Sequence, residues 1–289
     1  MRRLVSVLVA LASLGFSSTA ASAAAIRAPS SSDAVSADPV YAHVRRLAGR
    51  IGPRSAGSAA YRRAASYARG ELEALGYEVT RQGFPLPQGG RSWNLVARWP
   101  GNVEVRLLIG AHLDTVPGSP GANDNASGVA VLLDVAAALA ETGGPPAGLV
   151  LVAFGAEEVQ PGGEHHLGSD AYVDRMSASE RDALEMMVSA DMIGKVRRYI
   201  VGALRGTPRR AARILAGAVR AEGFRASIRA LGDISDHGPF ALAGMPAAFL
   251  WTSWEPNHHE PTDVVRNCRP RALIRGREVL LGLIEERLG

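Results

Sequence analysis

Residues 149–158 read Leu149-Val150-Leu151-Val152-Ala153-Phe154-Gly155-Ala156-Glu157-Glu158. Six apolar residues in a row, with no polar alternation, suit a strand buried on both faces. Such strands occupy the centre of parallel sheets. The run stops at Gly155, and the next charged groups are two adjacent carboxylates. In parallel α/β sheets, sites are built from loops at the carboxyl ends of the strands. This one stretch therefore predicts a layered architecture and a place for chemistry.

The pattern continues in both directions. Helical spacing covers 38–50 and 58–75, and strand patterns follow near 77–84, 92–98 and 104–111. A helix is predicted over 127–141, with Leu132, Val135 and Leu139 on one face and Ser127 as its N-cap. Gly143-Gly144-Pro145-Pro146 ends it. Further strands are predicted at 186–191, 197–202, 226–230 and 246–251, with helices at 167–176, 207–222, 236–243 and 270–287. Strands alternating with helices imply a single α/β domain, a mostly parallel central β-sheet with helices on both faces.

Acidic and imidazole residues gather just after these strands. The 104–111 strand runs into His112-Leu113-Asp114, and the next loop carries Gly121-Ala122-Asn123-Asp124-Asn125. The 149–154 strand ends at Glu157-Glu158, the 186–191 strand at Asp191-Met192, and a late loop holds Asn257-His258-His259-Glu260-Pro261-Thr262-Asp263. Imidazoles and carboxylates without a thiolate suit zinc, manganese or cobalt in a catalytic rather than a structural site.

Composition removes other classes. Of 289 residues, 47% are hydrophobic and 21% charged, which excludes disorder for most of the chain. The glycines show no period and Cys268 is the only cysteine, so collagen-like and disulfide-stapled folds are excluded. Lys195 is the only lysine, and the arginines are scattered among 28 acids. That is a solvated surface, with no nucleic-acid partner expected. Arg2-Arg3, the apolar run Leu4 to Phe16 and Ala21-Ser22-Ala23 stand in the order of a secretory signal peptide. Residues 1–23 are read as that signal and the protein as secreted. The apolar run is shorter than the roughly 20 residues a bilayer demands. With no cysteine at the cleavage point, no stable membrane anchor is expected. Residues 24–37 form a flexible Ala/Ser/Pro leader, which leaves 38–289 as one domain.

The ordered set resembles the secreted co-catalytic dizinc aminopeptidases of the aminopeptidase S and aminopeptidase Y type. Their superfamily includes glutamate carboxypeptidase and the glutaminyl cyclases. Ile51-Gly52-Pro53-Arg54 with Gly57-Ser58, and Asn94-Leu95-Val96-Ala97, resemble its N-terminal landmarks. His112-Leu113-Asp114, Asp124-Asn125, Glu157-Glu158, Asp191-Met192-Ile193-Gly194, Ser235-Asp236-His237 with Phe240, and His259 four residues before Asp263 follow in family order.

The resemblance implies a zinc exopeptidase-like fold, a peptide substrate and two zinc ions per chain bridged by Asp124. His112 and Asp191 would complete one ion, Glu158 and His259 the other. Glu157 would be the general base, and Asp114 would stand behind His112 and orient it. The chemistry agrees with these roles. Paired cations need a bridging carboxylate and lower the pKa of a shared water. A carboxylate not needed as a ligand can take that water's proton and pass it to the leaving amine. A carboxylate behind a ligating histidine fixes its tautomer. A cis peptide is implied at Asp124-Asn125. One departure stands out: the position before the last histidine ligand, usually Tyr, is His258. An imidazole there can still donate a hydrogen bond to the oxyanion.

Rival classes fare worse. No G-x-S-x-G turn follows a strand, and no G-x-G-x-x-G follows the first one. His112 to Pro117 also fits a related metallopeptidase family. Its members insert a dimerisation domain of about a hundred residues before the last histidine, for which the stretch from Asp191 to His259 is too short. The single-zinc glutaminyl cyclases share the fold, but Asn123-Asp124-Asn125-Ala126-Ser127-Gly128 resembles the hydrolases instead. A pure binding module would have no use for a spare base such as Glu157. Aminopeptidase, carboxypeptidase and dipeptidase specificities stay open, because loops choose the anchored end of the peptide. Elsewhere, His165 and His166 read as exposed bystanders or substrate-side residues, His43 as surface, and Cys268 as a buried small apolar residue. Asp236-His237 reads as a helix start that ties a loop by hydrogen bonds.

Overall fold

The computed structural model describes residues 38–195, 198–252 and 254–289; the predicted signal peptide and leader lie outside the described residues. The sheet runs β1-β2-β4-β3-β5-β8-β6-β7. Its strands are β1 (Glu78–Pro85), β2 (Arg91–Arg98), β3 (Leu107–His112), β4 (Leu149–Phe154), β5 (Met186–Ala190), β6 (Tyr199–Leu204), β7 (Ala226–Leu231) and β8 (Ala247–Trp251). β4–β3, β3–β5, β5–β8 and β6–β7 pair parallel, whereas β1–β2, β2–β4 and β6–β8 pair antiparallel. The centre is thus parallel, as the 149–154 run implies, and the flanks are mixed. Every residue of β3, β4 and β5 is buried.

The helices are α1 (Pro39–Val44, continued by a π-helical turn over Arg45–Ile51), α2 (Ala59–Ala74), α3 (Ser127–Glu141), α4 (Leu167–Arg175), α5 (Ala178–Ala183), α6 (Arg210–Ala221), α7 (His237–Leu242) and α8 (Pro270–Leu288). Successive strand residues point to opposite faces. Leu107, Ile109, Leu149 and Leu151 join a core with α1, α2, α3, α6 and α8. Leu108, Val150, Val152 and Phe154 join a second core with α4 and α7. Because α3 lies between sheet, α1 and α8, its first ten residues are all buried. At Gly128 any Cβ would run into the Ala190 carbonyl oxygen, so only glycine lets α3 start this close to the end of β5. That approach aligns the tips of β3, α3 and β5.

Local readings are corrected in four places. Ser127 does not cap α3: it is the helix's first residue, and its Oγ donates to the Asn123 carbonyl at 2.6 Å. Asn125 does the capping instead, its Oδ1 accepting from Gly128 N at 2.8 Å. α5 was not anticipated, although Ser177 and Glu180 form a capping box that announces it. His43 is half-buried rather than on the surface, with Nδ1 2.6 Å from the Tyr67 hydroxyl. The Asp236 and His237 side chains are fully buried, with no hydrogen-bond partner for their polar atoms among the described residues; neighbouring Ser235 ties the loop. Cys268 is buried, as read.

Candidate metal centre

β3 places His112 at its carboxyl end, and the loop beyond it is fixed by a buried cation. Arg54, with no exposed surface, donates from Nε to Leu113 O (2.7 Å), from Nη1 to Pro120 O (2.7 Å) and from Nη2 to Gly121 O (3.0 Å). Burial lowers its pKa to about 10, still far above neutrality. Gly121 adopts a left-handed φ of 58° and packs against Thr115, and a Cβ there would strike the Asp124 carbonyl. The chain then delivers Asp124 through a cis Asp124-Asn125 peptide. Two anchors hold that segment. Asn125 Nδ2 donates to Ala190 O at 3.0 Å, and the Asp263 carboxylate accepts from the backbone N–H groups of Asn123 and Asp124 at 3.0 Å.

Asp124 faces two clusters at once. Its Oδ1 lies 3.1 Å from His112 Nε2, and Asp191 Oδ1 lies 3.5 Å from the same nitrogen. Its Oδ2 lies 3.3 Å from His259 Nε2, which sits 2.9 Å from Glu158 Oε2. His258 Nε2 also comes within 3.3 Å of Asp124 Oδ2, but only His259 reaches Glu158 as well among the described contacts. The two imidazoles stack, with centroids 3.7 Å apart, and Trp254 meets His258 edge-on. Glu157 Oε2 is 3.8 Å from His112 Nε2. Asp191 is steadied by Ser235 Oγ at 3.0 Å.

Asp114 stands differently from the expectation. It is 3.8 Å from His112 Nδ1, beyond hydrogen-bond range, and its two oxygens accept from Glu157 N (3.1 Å) and Glu158 N (3.2 Å). It fixes the turn that presents the carboxylate pair. Of the two readings of His166, the exposed bystander is corrected: it is buried and lines the site cavity, with Nε2 3.1 Å from Glu157 Oε1 and Nδ1 3.1 Å from Asp233 Oδ1. Sequence reasoning also passed over Arg54 and Asp263 as anchors. Both stood inside quoted motifs, but nothing in their spacing told that they bind backbone.

Burial and crowding strain this set electrostatically. Burial, followed by the charge of Asp124, raises Glu158 to about 8; burial raises Asp191 to about 6 and Asp114 to about 6. Burial would lift Asp124 too, but hydrogen bonds from His112 and His259 hold it low. Hydrogen bonds to Asp124 and Glu158 raise His259 to about 10, whereas burial lowers His258, which is neutral at pH 7. Glu158 Oε1, Asp191 Oδ1 and His112 Nδ1 are buried without a hydrogen-bond partner among the described residues. Orphaned carboxylate oxygens around imidazole nitrogens, with no thiolate, fit a borderline divalent cation such as zinc.

The site opens into a cavity of about 260 Å³ walled on one side by Met192, Ile234, Phe249, Trp251 and Trp254. A larger, shallow groove of about 410 Å³ lies against β1, β2 and α4, away from this chemistry.

Fold and site together define an α/β protein with a candidate imidazole–carboxylate metal centre at the carboxyl edge of its sheet. The chain belongs to peptidase family M28, whose family model matches residues 94–284. It is 34% identical over 243 residues to leupeptin-inactivating enzyme 1 of Streptomyces exfoliatus, covering 79% of this chain and 53% of that protein. The chain thus spans about half the length of that curated relative. Among solved structures it is similar to a zinc aminopeptidase from Bacillus subtilis, with a TM-score of 0.77 and 21% identity over 86% of this chain and 94% of that one. It is also similar to a glutaminyl cyclase from Porphyromonas gingivalis, with a TM-score of 0.74 and 23% identity over 86% and 97% of the two chains. These two likenesses show a shared fold. No helix among the described residues is long and apolar enough to cross a membrane.

Proposed function

We propose that the protein is a secreted aminopeptidase that holds two zinc ions and removes N-terminal residues from peptides. The observation that carries the reading is Asp124, whose two oxygens face separate imidazole–carboxylate sets beside a further carboxylate, Glu157, whose Oε2 lies 3.8 Å from His112. His112 and Asp191 would hold one ion, Glu158 and His259 the other, with Asp124 between them. When bound, zinc supplies Lewis acidity, lowering the pKa of water and drawing the charge that grows on the scissile carbonyl oxygen.

The chain's own groups do the rest. Glu157 takes a proton from the attacking water on Oε2 and returns it to the leaving amine. Asp114 holds the backbone of Glu157 and Glu158 so that the base and its neighbouring ligand keep their places. His258, neutral at pH 7, donates an N–H toward the developing oxyanion. The apolar wall formed by Met192, Phe249 and Trp251 receives an apolar N-terminal side chain. Residues 1–23 serve as the signal peptide, and 38–289 form the catalytic unit.

The test pairs metal analysis with a panel of aminoacyl-chromophore substrates and a peptide with N-terminal Gln. Two zinc ions per chain with release of free Leu, Met or Phe support the reading. One zinc with pyroglutamate formation would make the protein a cyclase. No metal with no turnover would make it a binding module.

A further inference from the structure

Glu157 has a buried neighbour that the ligand set does not use. His166 is the residue before α4 and adopts a left-handed φ of 58°. Its backbone N–H donates to Glu157 O at 2.9 Å, and its own carbonyl accepts from Asp170 N at 2.9 Å and Ser169 Oγ at 3.1 Å. Left-handed backbone disfavours residues with side chains, and those bonds hold it here. The ring is thereby set between two carboxylates, with Nε2 3.1 Å from Glu157 Oε1 and Nδ1 3.1 Å from Asp233 Oδ1, while His165 Nδ1 approaches the same Nδ1 at 3.0 Å. Asp233 is backed by Gly238 of α7, where any Cβ would run into its carboxylate.

The physical problem this solves lies one residue on. Glu157 and Glu158 are chemically identical neighbours beside the same cluster, yet one must ligate and the other must stay free. The last torsion of a glutamate is soft, so a free Glu157 could turn and coordinate too. We propose that His166, aligned by Asp233, is a positioning residue for Glu157: it donates from Nε2 to Oε1 and leaves Oε2 as the proton acceptor. The inference rests on the reading of Glu157 as the base.

Two variants of His166 separate this role from a packing role, because a Gln amide reaches the position of Nε2 and an Asn amide only that of Nδ1. His166→Asn keeps a donor at the position of Nδ1, beside Asp233, and loses the one that faces Glu157. It lowers kcat about 100-fold, the scale of a misplaced reacting group, with KM within about threefold and both metals retained. His166→Gln recovers most of that loss. Asp233→Asn lowers kcat about 10-fold at unchanged KM, and it carries the test if His166→Asn does not fold. A wild-type kcat in His166→Asn, or equal losses in His166→Asn and His166→Gln, would overturn the proposal. So would loss of a metal ion from either variant, which would make His166 a ligand. The base reading is separated by Glu157→Gln measured alongside. Full activity in that variant removes the base itself; an inactive Glu157→Gln beside a fully active His166→Asn removes only the positioning role.

Discussion

Replacing Asp263 tests whether the Asn123–Asp124 segment is held from the far end of the chain. Its carboxylate accepts from Asn123 N with both oxygens and from Asp124 N with Oδ2, all at 3.0 Å, and is fully buried. A hydrogen bond to a charged group contributes about 1.5–3 kcal/mol, and an orphaned buried donor costs about 1–3 kcal/mol. Asp263→Asn keeps one acceptor oxygen and turns an amide N–H toward a backbone N–H, for a gross loss of about 3 kcal/mol. Burial holds the Asp263 carboxyl above its ordinary pKa, with the backbone bonds opposing. Removing the charge therefore returns part of that loss, leaving about 2 kcal/mol. Asp263→Ala strands both donors and costs about 4 kcal/mol. Urea unfolding of metal-free protein, followed by circular dichroism, reads these differences without any contribution from bound ions. Metal titration of the same variants should show affinity weakened about 10- to 100-fold, as loss of a ligand's support does elsewhere. An Asp263→Asn variant as stable as wild type without metal, or an alanine variant no worse than asparagine, would refute the reasoning.

Three further outcomes follow from the same structure. Glu157→Gln should retain fold and metal content while lowering kcat by about 10²- to 10⁴-fold; an unchanged kcat removes Glu157 from its role. Prolonged chelation with verified metal removal should abolish hydrolysis, and zinc or cobalt should restore it; turnover by verified metal-free enzyme sinks the metallopeptidase reading. Burial holds His43 at about 4 against an ordinary 6.5, so the native state binds fewer protons than the unfolded chain between those values. Its contribution is complete above pH 6.5 and is lost as the pH falls through 4, up to about 3 kcal/mol. The stability of wild type relative to His43→Leu should therefore fall on acidification through that range, and parallel curves would show that the imidazole is not held neutral.

The sheet was legible because burial on both faces leaves an unbroken mark. In β4 and the carboxyl half of the 104–111 run, no position faces water, so no polar residue interrupts the hydrophobic sequence. Differences fell where that constraint lapses. The β3 ladder begins at Leu107 rather than 104, because Glu104 precedes the paired region. Ser127 looks like an N-cap by residue type, yet it is Asn125 Oδ1 that accepts from the free N–H of Gly128. Residue type offers both as caps, and only the backbone path chooses between them.

A similar division runs through the site. His112, Asp124, Glu157, Glu158, Asp191 and His259 could be nominated together because strand ends are predictable and convergence at one sheet edge follows from the topology. Their supports could not be nominated, because each acts through backbone groups or through a turn whose conformation its own residue type disfavours. Arg54 spends its guanidinium on three carbonyls, Asp263 its carboxylate on two amides, and His166 depends on a positive φ that no histidine advertises. A candidate ligand set can be nominated from residue types at strand ends, since coordination chemistry restricts the types. What keeps Glu157 apart from Glu158 is a matter of which oxygen meets which hydrogen. That depends on the path of residues 159–166 through a loop with no periodicity to betray it.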